Sequence, residues 1–168
     1  MAETTIRDEF DCTADTYWDK CHFNADFNRE LYLETLKFPG WKMLEQKTDG
    51  PRRTRRVRID PPVTGLPGPV KKLVGDSISY VEEGTHDQAT GRYAFKITPS
   101  TLPDKTNITG EVWCEKLDGD RIARICKIRV EVKVFAVGGL IEEKVMTDLK
   151  ASYAKAAPFT NGYVKKFR

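Results

Sequence analysis

The sequence predicts an α+β fold: a curved antiparallel sheet of about six or seven strands wrapped around a long C-terminal helix, with two short helices after the first strand. Three observations carry that prediction. Residues 41–137 are almost wholly β in pattern. Within them Ile128, Val130, Val132 and Val134 oppose Lys127, Arg129, Glu131 and Lys133 with a strict period of two. After Gly138-Gly139 the period changes, and Ile141, Val145, Leu149 and Ser152 recur at helical spacing. Polar-out alternation means a sheet wet on one face, so its apolar face needs a cover, which this helix can provide.

The elements follow in order. Residues 4–11 alternate loosely (Ile6, Phe10) and read as an opening strand. Thr13 then precedes Ala14, Asp15 and Thr16 as a helix N-cap, with the acid of the first turn favoured by the helix dipole; Tyr17 and Trp18 belong to this short helix. A second helix is expected from about Asp26, carrying Phe27, Leu31 and Leu36, and Pro39-Gly40 closes it. Trp41, Met43 and Glu45 share a strand face that ends at the turn Asp49-Gly50-Pro51, and residues 52–59 form the next strand. Residues 61–75, rich in proline and glycine, are a loop with a helical turn at 69–73.

Residues 77–83 read as a strand with 86–91 as its turn. In residues 92–98, Tyr93, Phe95 and Ile97 face one way and Arg92, Ala94 and Lys96 the other. Residues 106–117 follow, turning at Asp118-Gly119-Asp120, and residues 121–137 are the longest strand. On the last helix Met146, Tyr153 and Ala156 widen the apolar stripe, Glu142, Glu143, Lys144, Asp148 and Lys150 cover the other side, and Pro158 is expected to kink it or end its first part.

Composition narrows the function classes. The 168 residues suit a single domain over 1–168, with 39% hydrophobic and 32% charged residues giving a well-solvated surface. No apolar run approaches the roughly 20 residues needed to span a bilayer, and the opening MAETTIRDEF has no apolar signal core, so a cytoplasmic protein is expected. Cys12, Cys21, Cys114 and Cys126 form no C-x-x-C, and neither His22 nor His86 makes a zinc-type pair with them. Reduced thiols, no metal and no other cofactor are the expectation. The net charge of +3, from 28 basic and 25 acidic residues, is too small to argue nucleic-acid binding. No nucleophile elbow or phosphate-binding glycine loop is present.

Three segments resemble a known superfamily. Residues 10–18 (FDCTADTYW) look like the strand-to-helix lead-in of START-like, or helix-grip, domains. Residues 66–75 (LPGPVKKLVG) are similar to a loop of a bacterial START-like family with no assigned function, and to segments of PRELI-type and VASt-type lipid-transfer domains. Residues 134–142 (VFAVGGLIE) resemble the same families' approach to the last helix, where glycine and Ile-Glu recur. The resemblance implies a pocket for a lipid, sterol or other apolar small molecule. Because that scaffold hosts carriers, sensors and enzymes alike, it does not name the ligand.

Candidate ligand-binding residues are those of the inward strand faces: Val57, Ile59, Ile78, Tyr80, Glu82, Tyr93, Phe95, Ile97, Val112, Cys114, Ile128, Val130 and Val132. Ile141, Val145 and Leu149 face them from the helix. Val63, Leu66, Val70, Lys71 and Lys72 are candidates for a lid or membrane contact. On the strand 52–59, Arg53 and Arg55 share the inward parity, while Arg52, Arg56 and Arg58 face outward as candidate contacts for anionic lipid phosphates. No aromatic residues interleave these arginines, which argues against nucleic acid. The leading expectation is non-catalytic binding or transfer of an apolar small molecule. Two alternatives stand beside it: a polyketide cyclase- or dehydratase-like enzyme using Glu82, Tyr80 and Tyr93, and a module docking a membrane or acidic partner through the basic strand. His22 and His86 are placed at a helix end and a turn, away from the inward face.

Overall fold

A computed structural model describes residues 1–168. Seven strands form one antiparallel sheet: β1 (Ala2–Phe10), β2 (Gly40–Asp49), β3 (Arg52–Asp60), β4 (Tyr80–Asp87), β5 (Arg92–Pro99), β6 (Thr106–Lys116) and β7 (Ile122–Val132). Their spatial order is β1-β7-β6-β5-β4-β3-β2, so the first strand joins the sheet beside the last. Between β1 and β2 run α1 (Ala14–Thr16) and α2 (Ala25–Arg29), and α3 (Gly68–Val74) interrupts the crossover from β3 to β4. The long helix α4 (Gly138–Val164) packs on β1 and β7. This is the α+β helix-grip arrangement. No helix is long and apolar enough to cross a membrane.

Glycines and a bulge let the sheet curve. The register of β2 on β3 shifts between Met43 and Glu45. A side chain on Gly84 would lie 2.1 Å from the Tyr93 ring, and one on Gly110 would lie 2.4 Å from the Phe95 ring. Two aromatic rings of β5 therefore lie across glycines of the strands on either side, filling the concave face where those strands lack side chains.

The helical connection between β1 and β2 departs from simple α-periodicity. Thr13 caps α1 as expected, its hydroxyl accepting from the Thr16 N–H. The chain then widens into π turns at Tyr17–His22 and again at Glu30–Thr35. Phe23 N–H reaches back five residues to the Trp18 carbonyl (2.9 Å), and Leu36 N–H to that of Leu31 (2.8 Å). The cap of the second helix is Asn24, whose side chain accepts from Phe27 N–H, two residues earlier than Asp26.

Three boundaries are corrected. The fourth strand runs Tyr80–Asp87 in place of 77–83; its inward positions Glu82, Gly84 and His86 are not apolar, which hides the period of two. The last strand stops at Val132, five residues short of the expected end. There the Glu142 carboxylate of α4 accepts the Val132 N–H (3.0 Å), and Ala136 turns the chain through a left-handed conformation (φ 67°). Glu142, expected on the solvated side of the helix, is consequently buried. Pro158 lies inside α4 and does not end it.

Candidate functional site: a cavity between sheet and helix

A cavity of about 270 Å³ lies between the concave sheet face, α4, the π turn Glu30–Thr35 and the segment carrying α3. Of its 36 lining residues, 24 are hydrophobic, so its walls suit an apolar body with few polar anchor points. The polar groups are not scattered. Arg55 on β3, Glu82 on β4 and Tyr93 on β5 are inward-facing neighbours across three strands, and all three are buried. Three of their bonds converge on one atom: Glu82 Oε1 accepts from the Tyr93 hydroxyl at 2.5 Å and from Arg55 Nη2 and Nε at 3.0 and 3.3 Å, and Arg55 Nε also donates to the Tyr93 hydroxyl at 3.3 Å. Arg55 Nη1 donates to the His22 carbonyl at 2.5 Å, tying the sheet to the first π turn.

A second buried arginine extends this floor. Arg124 on β7 donates to Asp8 of β1 at 2.6 Å and to the Tyr17 hydroxyl at 3.4 Å. Its guanidinium lies 4.8 Å from the Tyr153 ring centroid and 4.9 Å from that of Phe10, within cation–π range. Tyr153 in turn donates its hydroxyl to Cys126 Sγ (3.3 Å). Between the arginines sits His22, its ring 4.2 Å from that of Tyr93, with no partner for Nε2. At the mouth Lys144 pairs with Asp148 at 2.8 Å, close beside Gly65 of the covering loop.

The electrostatics follow from this burial. Loss of water is the largest single influence and works against the Arg55 charge, but the Glu82 carboxylate together with Tyr93 and Tyr32 outweighs it and holds the guanidinium pKa above its ordinary value. Burial, and then the charges of Arg55 and Arg124, push His22 well below the usual histidine range, so it is neutral. Burial and the Glu82 charge raise Tyr93, and the same two causes push Tyr32 up to about 12.

Of the residues expected from sequence, Ile59, Ile78, Tyr80, Glu82, Tyr93, Phe95, Ile97, Val112, Ile128, Ile141, Val145 and Leu149 line the cavity, as do Val63, Leu66 and Val70 of the covering segment. Four do not: Val57, Cys114, Val130 and Val132. In the ladder Val57 stands beside Glu82 and Cys114 beside Arg124, and the longer neighbour takes the cavity surface. Val130 and Val132 lie at the end of β7, packed in the core, where the Val132 carbonyl abuts Gly138 at the start of α4. Lys71 and Lys72 are exposed on α3, off the cavity wall. On the outer face Arg52 is exposed, while Arg56 pairs with Glu83 (2.8 Å) and Arg58 with Asp60 (3.0 Å), so this strand presents mostly compensated charge. His86 is corrected: it lies within β4, buried on the Glu82 face, and not in a turn. His22 ends a helical turn as expected, and from there it lines the cavity. Lys144 and Asp148, expected outside, edge the cavity mouth.

The family model described as "Protein of unknown function (DUF2505)" matches residues 5–164. The chain belongs to DUF2505. No curated protein matches it by sequence. Among solved structures, this DUF2505 chain is similar to the Zhui aromatase/cyclase from Streptomyces sp. R1128 (11% identity, TM-score 0.66, covering 99% of this chain and 96% of that one). It is also similar to a START superfamily protein from Mycobacterium smegmatis (16%, 0.59, 99% of each chain). A third is norcoclaurine synthase from Thalictrum flavum (13%, 0.63, 99% and 89%). At these identities the likeness establishes a START-like fold for the DUF2505 chain.

The inward parity of Arg55, beside Val57, is legible in the sequence of this DUF2505 chain, though not its place among the cavity residues. Arg124 carries the same parity beside Cys126 and is missed altogether. Tyr32 and His22 give no such signal, because each sits in a π turn that rotates it away from 3.6-residue spacing.

Proposed function

We propose that the chain binds a compact apolar small molecule in this cavity, as a carrier or receptor. The observation that supports it is a roughly 270 Å³ space with predominantly hydrophobic walls and its polar groups gathered on one floor. The volume sits just under the range of about 300–1,000 Å³ for drug-sized ligand pockets. It therefore suits a ring compound or short chain better than a two-chain lipid, which narrows the lipid and sterol class implied by resemblance. Ile97, Val112, Val145 and Leu149 would contact the ligand body, and the segment 61–75 would cover it.

The test is titration with an anilinonaphthalene sulfonate dye. Saturable one-to-one binding is expected, together with loss of that binding in Leu149→Trp, which fills the cavity. Circular dichroism confirms that the variant folds. Dye binding that does not saturate, or that Leu149→Trp leaves intact, sinks the reading.

One observation favours a second reading, a cyclase-like enzyme: Glu82 is buried, faces the cavity and holds the Tyr93 hydroxyl at 2.5 Å. The fold likeness to an aromatase/cyclase and a synthase is compatible with it. Tyr80, the third member expected, lies apart and feels the Asp148 charge instead.

A further inference from the structure

Five charged side chains line the cavity: Arg55, Glu82, Arg124, Lys144 and Asp148. Every one already has an opposite charge beside it. Arg55 pairs with Glu82 at 3.0 Å, Arg124 with Asp8 at 2.6 Å and Lys144 with Asp148 at 2.8 Å. His22, between the two arginines, is neutral. The floor thus carries strong dipoles but no uncompensated charge. A carboxylate or phosphate entering here would lose its hydration and meet cations already matched, with Glu82 repelling it. An ammonium group would meet the same difficulty in reverse, facing Arg55 and Arg124.

Two hydrogen-bonding positions remain open. All bonds to Glu82 fall on Oε1, so Oε2 has no partner in the chain and can accept. Tyr32 lines the cavity from the second π turn and feels the charges of Glu82, Arg55 and Arg124. None of the hydrogen bonds in the chain uses its hydroxyl. Burial and the Glu82 charge keep that hydroxyl protonated in neutral buffer, so it can donate.

Resting on the binding reading above, we propose that the cavity selects an uncharged ligand bearing a hydroxyl group. That hydroxyl donates to Glu82 Oε2 and accepts from Tyr32, while the apolar body lies against Val145 and Leu149. A ketone satisfies only Tyr32 and leaves Oε2 without a donor. A pure hydrocarbon satisfies neither. The ligand class is therefore a compact phenol or alicyclic alcohol.

Displacement of the dye by three probes of one shape tests this at pH 7.5: 2-naphthol, 2-naphthoate and 2-methylnaphthalene. Naphthol is expected to bind about tenfold more tightly than either of the others, the worth of one to two buried hydrogen bonds. Tyr32→Phe, which removes no hydrogen bond within the chain, is expected to abolish most of that preference, read as the ratio of naphthol to methylnaphthalene affinity. Naphthoate binding as tightly as naphthol, or an undiminished naphthol preference in Tyr32→Phe, overturns the proposal. If methylnaphthalene binds and naphthol has no advantage, the cavity reading stands and this one fails. If none of the three binds, both fail together.

Discussion

Arg55 is the residue on which the polar floor depends, and it shows how a buried charge constrains its surroundings. It supplies two of the three bonds on Glu82 Oε1 and also reaches the His22 carbonyl. Taking one partner away leaves the other as a buried charge without its counter-charge. Arg55→Met should therefore destabilise the protein by about 3–5 kcal/mol, whereas Arg55→Met combined with Glu82→Leu should restore much of the loss. Equilibrium urea unfolding of the two single variants and the double variant measures this. A double variant no more stable than Arg55→Met would count against a coupled pair. At this scale the sequence was half legible. Glu82 shares the parity of Ile78 and Tyr80, and Arg55 that of Val57, but five arginines in one short segment read as a basic strand and hide the partnership of Arg55 with Glu82. A search for apolar inward faces passes over charged residues that find partners only across strands.

Elements were read well where one physical rule governed them. The Ile128-Val130-Val132 alternation and the Ile141-Val145-Leu149 stripe placed β7 and α4, and periods of two and 3.6 depend only on which face is wet. Reading failed where tertiary contacts override period. The end of β7 is met by a carboxylate ten residues further on, and the π turns stack aromatic rings on tertiary partners, Trp18 against His86 and Tyr32 against Trp41. The end of β4 comes four residues later than the expected 83, because the next inward position is Gly84, which breaks the apolar alternation and leaves room for the Tyr93 ring. That glycine is needed for close approach, since its backbone lies outside the left-handed region. Gly84→Ala would press a methyl group into the ring and should cost about 1–3 kcal/mol. Because the ring carries the hydroxyl on Glu82, the same change should also weaken dye binding. Thermal unfolding and dye titration of Gly84→Ala test the two effects together, and wild-type values for both would refute the packing account.

For the whole molecule, the aromatic nest around the two histidines links stability to pH. Burial, followed by nearby arginine charges, depresses both His22 and His86 below their ordinary value. In the unfolded chain each takes up a proton at about pH 6.5. Between that value and the lower folded one, the unfolded state binds more protons, so stability rises with pH across the window. It is fully present above about pH 6.5 and is lost as pH falls below it. Urea midpoints should fall between pH 7.5 and 5.5, before the lowered carboxyl groups of Glu9, Glu45 and Glu142 begin to protonate. A flat profile across that interval would show that the histidines are not held neutral.

The cavity itself was an expectation drawn from resemblance, because the same apolar residue types fill a solid core or line a hollow one. What distinguishes the two is the floor, and the floor meets at a single oxygen. Glu82 Oε1 joins β3, β4 and β5, and Arg55 carries the link on to the first π turn, so loosening that carboxylate loosens three strands directly and a helical turn through Arg55. On the binding reading proposed above, occupancy of the cavity and the firmness of its walls are linked, so a ligand held on this floor should raise the unfolding temperature.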